Sequence, residues 1–190
     1  MPQSHPLLGK LADALAQSAA PFKLENARLA ALPEEVRKVS APQPRHALAQ
    51  DVWLDFQADA GVEITAGPDP EQRGLRLLTA DVGSSPWLSF SYALPAAQLR
   101  EGRYLGQITR SSSRGVARFR VCLRYVFEDG FHDVFARDMV VLTGGAAQED
   151  LLMVPLDAEL AAAAQRAEVL FFFEGRSFDV TLHGTEAFLV

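Results

Sequence analysis

A single cysteine, Cys122, is all that the 190-residue chain offers. It excludes an internal disulfide, and nothing indicates an oxidising compartment. No run of about 18 apolar residues occurs, so no membrane-spanning helix is expected. The N-terminal "MPQSHPLLGKLADALAQSAAPFK" has no basic stretch followed by a long apolar one and makes a poor signal peptide. The expected location is the cytoplasm by default; export without a cleaved signal, or within an assembly, stays open. The nucleophile elbow, the zinc-protease helix and the dinucleotide fingerprint are also missing. The cluster "FEDGFHDV" matches no zinc or EF-hand spacing and reads as a hydrated turn. No cofactor and no metal are expected, and an enzyme is the minority reading.

Lysine is scarce too, with three against fifteen arginines. Net charge is −6 and the pI about 5.2, which argues against general nucleic-acid binding. The charge is unevenly spread. From Arg100 to Arg124 there are seven arginines and one acid, Glu101, a local +6 that leaves −12 for the remainder.

Residues 1–50 differ from the rest. Leu7, Leu8, Leu11, Ala14 and Leu15 recur at helical spacing and predict a helix from Leu7 to Ala19, ended by Pro21. Pro33, Pro42 and Pro44 then mark an extended arm with one weak helical turn near Pro33 to Val39. Such an arm wraps its own domain or docks on a neighbouring subunit. From residue 51 to residue 190 the pattern is that of strands. "DVWLDFQ", "GVEIT", "LRLLTA", "PWLSFSYAL" and "GRYLGQITR" are followed by "RSSSRG", read as a flexible turn. "VARFRVCLRYVF" and "HDVFARDMVVL" form a hairpin around Asp129-Gly130. "LLMVPL" leads to a short helix capped by Asp157, and "EVLFFFEG", "SFDVTLHG" and "EAFLV" close the chain. Nine or ten short strands with little helix predict an all-β sandwich.

From about Val52 to Val190 the order of elements resembles the jelly-roll β-sandwich of galactose-binding-like domains and carbohydrate-binding modules. The resemblance is carried by "WLSFSYAL", "LREGRYLGQITRSSS", "RFRVCLRYVFEDG" and "LFFFEGRSFDVTLHGTEAFLV". It covers roughly three-quarters of the chain and is one of pattern. It implies a jelly roll whose concave face or loop edge holds a glycan.

Two features point to binding. Trp53 falls on the same strand face as Asp51, Asp55 and Gln57, and Trp87 on that of Ser89 and Ser91. Sugar rings stack their C–H faces on aromatics, while their hydroxyls need planar polar partners such as Asp or Arg. The plainer alternative is that the arm caps both tryptophans, or that one strand is buried on both faces. The second feature is a row of cations. Arg118, Arg120 and Arg124 alternate with Phe119, Val121, Leu123 and Tyr125, and so line one strand face. Residues two apart on a strand are about 7 Å apart, and guanidinium forks bind carboxylates bidentately. The plainer alternative is a solvated face paired with Asp133 or Asp138. Cys122 shares that face and is expected to be inert.

These features give the expected function: a non-catalytic carbohydrate-binding module for an acidic or mixed-charge glycan, with Trp53, Asp55, Trp87, Arg118, Arg120 and Arg124 as ligand-binding residues. Its partner is a polysaccharide or oligosaccharide. The alternative is a structural or assembly subunit whose polar sheet face packs a protein partner, or whose N-terminal arm builds a homo-oligomer.

Overall fold

The computed structural model describes Ala14 and residues 16–190. Leu7, Leu8, Leu11 and Leu15, which carried the expected first helix, lie outside the described residues. A 3₁₀ turn at Ala20–Phe22 leads into helix α1, Lys23–Glu35. The strands follow in order: β1 Val39–Ser40, β2 His46–Ala49, β3 Val52–Phe56, β4 Glu63–Pro68, β5 Leu75–Asp81 and β6 Leu88–Leu94. After a 3₁₀ turn at Ala96–Glu101 come β7 Tyr104–Ser113, β8 Ala117–Val126, β9 Phe131–Leu142 and β10 Gln148–Pro155. Helix α2, Ala158–Ala163, precedes β11 Arg166–Glu174 and β12 Phe178–Leu189. Among the described residues no helix is long and apolar enough to cross a membrane.

The strands form two six-stranded sheets, ordered β1-β4-β5-β12-β7-β10 and β2-β3-β6-β11-β8-β9. Every pairing is antiparallel. The chain crosses repeatedly between the sheets, and strands distant in sequence end as neighbours. This is the jelly-roll β-sandwich that the alternating pattern predicts.

The alternation is realised residue by residue. Phe119, Val121, Leu123 and Tyr125 of β8 are fully buried, whereas Arg118 and Arg120 are exposed. Phe171 of β11 sits at the centre of an aromatic cluster, 5.6 Å from the ring of Phe90 and 5.4 Å from that of Phe119. One inner surface is polar. Gln107 of β7 is buried between the sheets, where its Oε1 accepts from the Tyr92 hydroxyl and its Nε2 donates to Ile108 O and Glu186 O. Tyr92 can thus enter the core because its hydroxyl finds an acceptor there.

Two local expectations are corrected. The weak turn near Pro33 is a 13-residue helix, with Pro33 in its last turn, where the chain leaves the helix within three residues. Its periodicity is poor because few residues anchor it: Leu29 and Leu32 enter the core with the flanking Phe22 and Val36. The Asn26 side chain adds a backbone-like link, donating to Ala187 O and accepting from Ala187 N, both at 2.8 Å. The described residues of the arm therefore wrap their own sandwich, and β1 and β2 pair with β4 and β3. The second correction concerns "RSSSRG". Arg110 to Ser113 belong to β7, and only Arg114 to Val116 turn. Serine signals a turn because its hydroxyl competes for backbone partners. Here Ser112 meets His183 instead and stays in the ladder.

Candidate functional site

The outer face of the second sheet carries five of the six residues singled out from the sequence, and the sixth, Trp87, lies just before one of its strands. Trp53 and Asp55 stand on β3, opposite Ser91 and Ser89 of β6. Trp87 immediately precedes β6 and is about two-fifths exposed. Trp53 therefore stands on a strand paired with β6, and Trp87 in the segment that enters β6. Trp87 precedes Ser91, the partner of Trp53, by four positions, or about 13 Å of extended chain. Arg118, Arg120 and Arg124 stand on β8, separated from β6 by β11.

The arginines are not equivalent. Arg124 makes a bidentate pair with Asp133 of β9, at 2.7 and 2.8 Å, and its guanidinium lies 3.9 Å from the centre of the Phe131 ring. That pair raises the guanidinium pKa, so Arg124 is a fixed, neutralised element of the face. Arg118 and Arg120 are exposed and have no ion pair among the described residues. Arg120 lies 5.5 Å from the centre of the Phe135 ring. The guanidiniums without an ion pair among the described residues are therefore at the Arg118–Arg120 end.

Between these ends the floor is closed. Ser89, Ser91, Cys122, Leu170 and Glu168 are at most 2% exposed although they point outward from the sandwich. Helix α1 packs chiefly on β12 of the other sheet and also meets β2 at the edge of this one, while α2 packs on the 3₁₀ turn at Ala96–Glu101. Large neighbours cover this floor. Phe135 of β9 and Phe172 of β11 meet with ring centres 5.8 Å apart, across the strand that carries Cys122. Burial, first of all, pushes the Cys122 thiol up to about 12, so it is protonated and inert. The Ser89 and Ser91 hydroxyls satisfy each other at 3.0 Å.

Sequence reasoning missed four members of the surface: Phe172, Phe135, Arg45 and Glu168. Phe172 is hidden in "LFFFEG", where a continuous apolar run gives no indication of which ring faces outward. Arg45 precedes β2 and reaches across to Trp53, with its guanidinium 5.1 Å from the ring centre. It also approaches Glu168 of β11 at 3.4 Å, and Arg166 holds the same carboxylate oxygen at 2.6 Å.

A wide depression of about 870 Å³ lies on the opposite sheet, lined among others by Asn26, Arg73, Arg110, Glu149, His183 and Glu186. It opens beside the bulge in β12 between Leu182 and Gly184. A tight loop borders it. The side chain of Asp69 accepts from Thr181 Oγ1 at 2.6 Å, Glu71 N at 2.8 Å, and Gln72 N and Nε2 at 3.3 Å. His183 is fixed between Ser112 and the carbonyl of Arg73. No group of three or more metal-ligating side chains occurs among the described residues.

The fold and this surface define a class: a jelly-roll β-sandwich with an aromatic and arginine-bearing sheet face. No protein-family model matches the sequence, and no curated protein matches it. Solved structures similar to it include the CBM22-1 xylan-binding domain of Paenibacillus barcinonensis Xyn10C. That likeness has a TM-score of 0.49 at 9% identity and covers 81% of this chain and 93% of that one. A family 11 carbohydrate-binding module from Clostridium thermocellum, in complex with a β-1,3-1,4-mixed-linked tetrasaccharide, gives 0.47 at 12%, covering 82% and 97%. The enzymatically active domain of tailspike protein 4 from bacteriophage CBA120 gives 0.46 at 17%. There the likeness covers 83% of this chain but only 22% of the tailspike chain. Likeness at this level says nothing of a ligand, and the fold stands on the strand topology itself.

Proposed function

We propose that the protein is a non-catalytic carbohydrate-binding module whose outer β2–β9 sheet face takes an acidic or mixed-charge glycan. The observation that carries this reading is the occurrence, on one sheet face, of aromatic rings beside side-chain acceptors and guanidiniums that have no ion pair among the described residues. Trp53 and Trp87 offer rings for the C–H faces of sugars. Arg118 and Arg120 offer forks for carboxylates, and Asp55 accepts from sugar hydroxyls. Arg124 serves as a positioning residue, since Asp133 already occupies its fork. A surface of this kind binds each site weakly and gains from multivalency.

The test is a fluorescence titration with polygalacturonate, xylan and mixed-linked β-glucan at low and moderate salt. A saturable shift with polygalacturonate that weakens with salt is expected. Arg120→Ala should lower that affinity about tenfold, in line with loss of one charge-assisted fork. Flat titrations across the panel would transfer the face to the assembly reading.

That second reading rests on an observation of its own. Phe131, Phe135, Met139 and Val141 of the edge strand β9 are each about two-fifths exposed or more. An apolar edge of this kind also suits a protein partner.

A further inference from the structure

Arg45 is an unusual residue in its setting. Its φ is +53°, in the left-handed region that side chains other than glycine seldom adopt. From that backbone its guanidinium stands over Trp53 and next to Glu168. The arginine is itself about half exposed, whereas Glu168 is 2% exposed. A carboxylate that deeply set is costly to leave unpaired. Arg166 satisfies it from one side, so Arg45 is a second cation at a site that already has one. Arg45 thus bridges an indole face and a carboxylate, two partners that together suit a cation. The chain's own arginine reaches them from a surface segment, and among the described residues Trp53 and Glu168 are its only ion-pair and cation–π partners.

We propose that Trp53 and Glu168 form a subsite for a cationic group of the ligand, the ammonium of an amino sugar, which Arg45 occupies until the ligand displaces it. The proposal rests on the glycan-binding reading above and names the sugar class for this end of the face. Arg118 and Arg120, which have no ion pair among the described residues, stand on β8, three strands from Trp53 on β3. A glycan bearing amino sugars near Trp53 and carboxylates near β8 would match the charges at both ends. An amine fits the Trp53 end better than a neutral sugar does, because displacing Arg45 with an uncharged ring removes the cation over the indole and the second of the two on Glu168 without replacing it. Arg166 is then the sole partner of that carboxylate among the described residues.

The experiment is calorimetric titration of the full chain and of Arg45→Ala near pH 5.5. The probes are glucosamine oligomers, their fully N-acetylated counterparts and tetralysine. Removal of the internal competitor should raise affinity for the glucosamine oligomer about tenfold and change that for the N-acetylated oligomer less than twofold. Adding Glu168→Gln to Arg45→Ala should erase the gain, with circular dichroism confirming that the double variant is folded. Equal gains for both oligomers would overturn the cation subsite while leaving the glycan reading intact, because Arg45 would then be only a steric cover. A gain for tetralysine matching that for the glucosamine oligomer would overturn the sugar and assign the subsite to a basic peptide. No binding of any saccharide by either protein would overturn both readings.

Discussion

Replacing Asp69 with Asn tests whether the loop bordering the first sheet is held by charge. The Asp69 side chain is fully buried and accepts four hydrogen bonds, one of them from the buried Thr181 hydroxyl. Burial works against its charged form, but the donors Thr181, Glu71 and Gln72 outweigh it, and the carboxyl is held below its ordinary value of 3.8. Asn keeps an acceptor for the two backbone donors, and the Thr181 hydroxyl can rotate to accept. What it loses is the charge and the bond from Gln72 Nε2. Bonds to charged groups contribute about 1.5–3 kcal/mol each and do not add fully, so a loss of about 1–2 kcal/mol is expected for Asn. For Ala, which strands every donor, the expected loss is about 3–5 kcal/mol. The sign with pH follows from the direction of the shift. A carboxyl whose folded pKa is lowered contributes stability above its unfolded value and loses it as pH falls through the folded one. The deficit of Asp69→Asn in urea unfolding should therefore be full at pH 7 and shrink below about pH 4. A deficit below about 0.5 kcal/mol at pH 7, or one that grows towards acid, would refute the reasoning.

Other expectations concern the core, the turns and the site. Phe171→Ala should cost about 3–5 kcal/mol by leaving a cavity among Phe90, Tyr92 and Phe119; an unchanged urea midpoint would contradict the packing described. Gly83→Ala should destabilise by about 2 kcal/mol or more, because φ is +59° and an added Cβ would fall 1.8 Å from the carbonyl oxygen of Ala60. A melting temperature within a degree of wild type would argue against that turn. Cys122 should resist a disulfide reagent at pH 8 in the native protein and react at once in urea, and rapid native labelling would mean that the Phe135–Phe172 roof is open. Arg124→Ala should cost about 1 kcal/mol through its half-buried pair with Asp133, whereas Arg120→Ala should leave stability unchanged. Equal costs would remove the distinction drawn between them.

The two-residue alternation made the sheets legible from the sequence. In β3 and β8 every position assigned to the core is buried. That same alternation put Trp53, Asp55 and the three arginines on outward faces, because one strand face follows from the other. It gave no access to neighbours from other strands. Arg45 meets Trp53 through a left-handed residue before β2, and Glu168 arrives from a strand more than a hundred residues later. The serines of β6 looked solvent-facing, yet both are fully buried and bond each other. Helix α1 was understated because only Leu29 and Leu32 of it enter the core and the rest of its docking includes Asn26, whose amide imitates a strand partner and leaves no mark on periodicity.

The placement of β11 and β12 bears on how the chain reaches this state. Each lies inside its sheet, β11 between β6 and β8, and β12 between β5 and β7. Neither sheet can close until residues 166–189 are available, however much of the preceding chain exists. During synthesis β6, β8, β5 and β7 must therefore wait with open edges, and unpaired edges recruit other chains. Pairings of such long sequence separation also form slowly. A protein built this way has no folded amino-terminal fragment to fall back on, and its yield in a cell depends on how well those waiting strands are shielded until the last two are inserted.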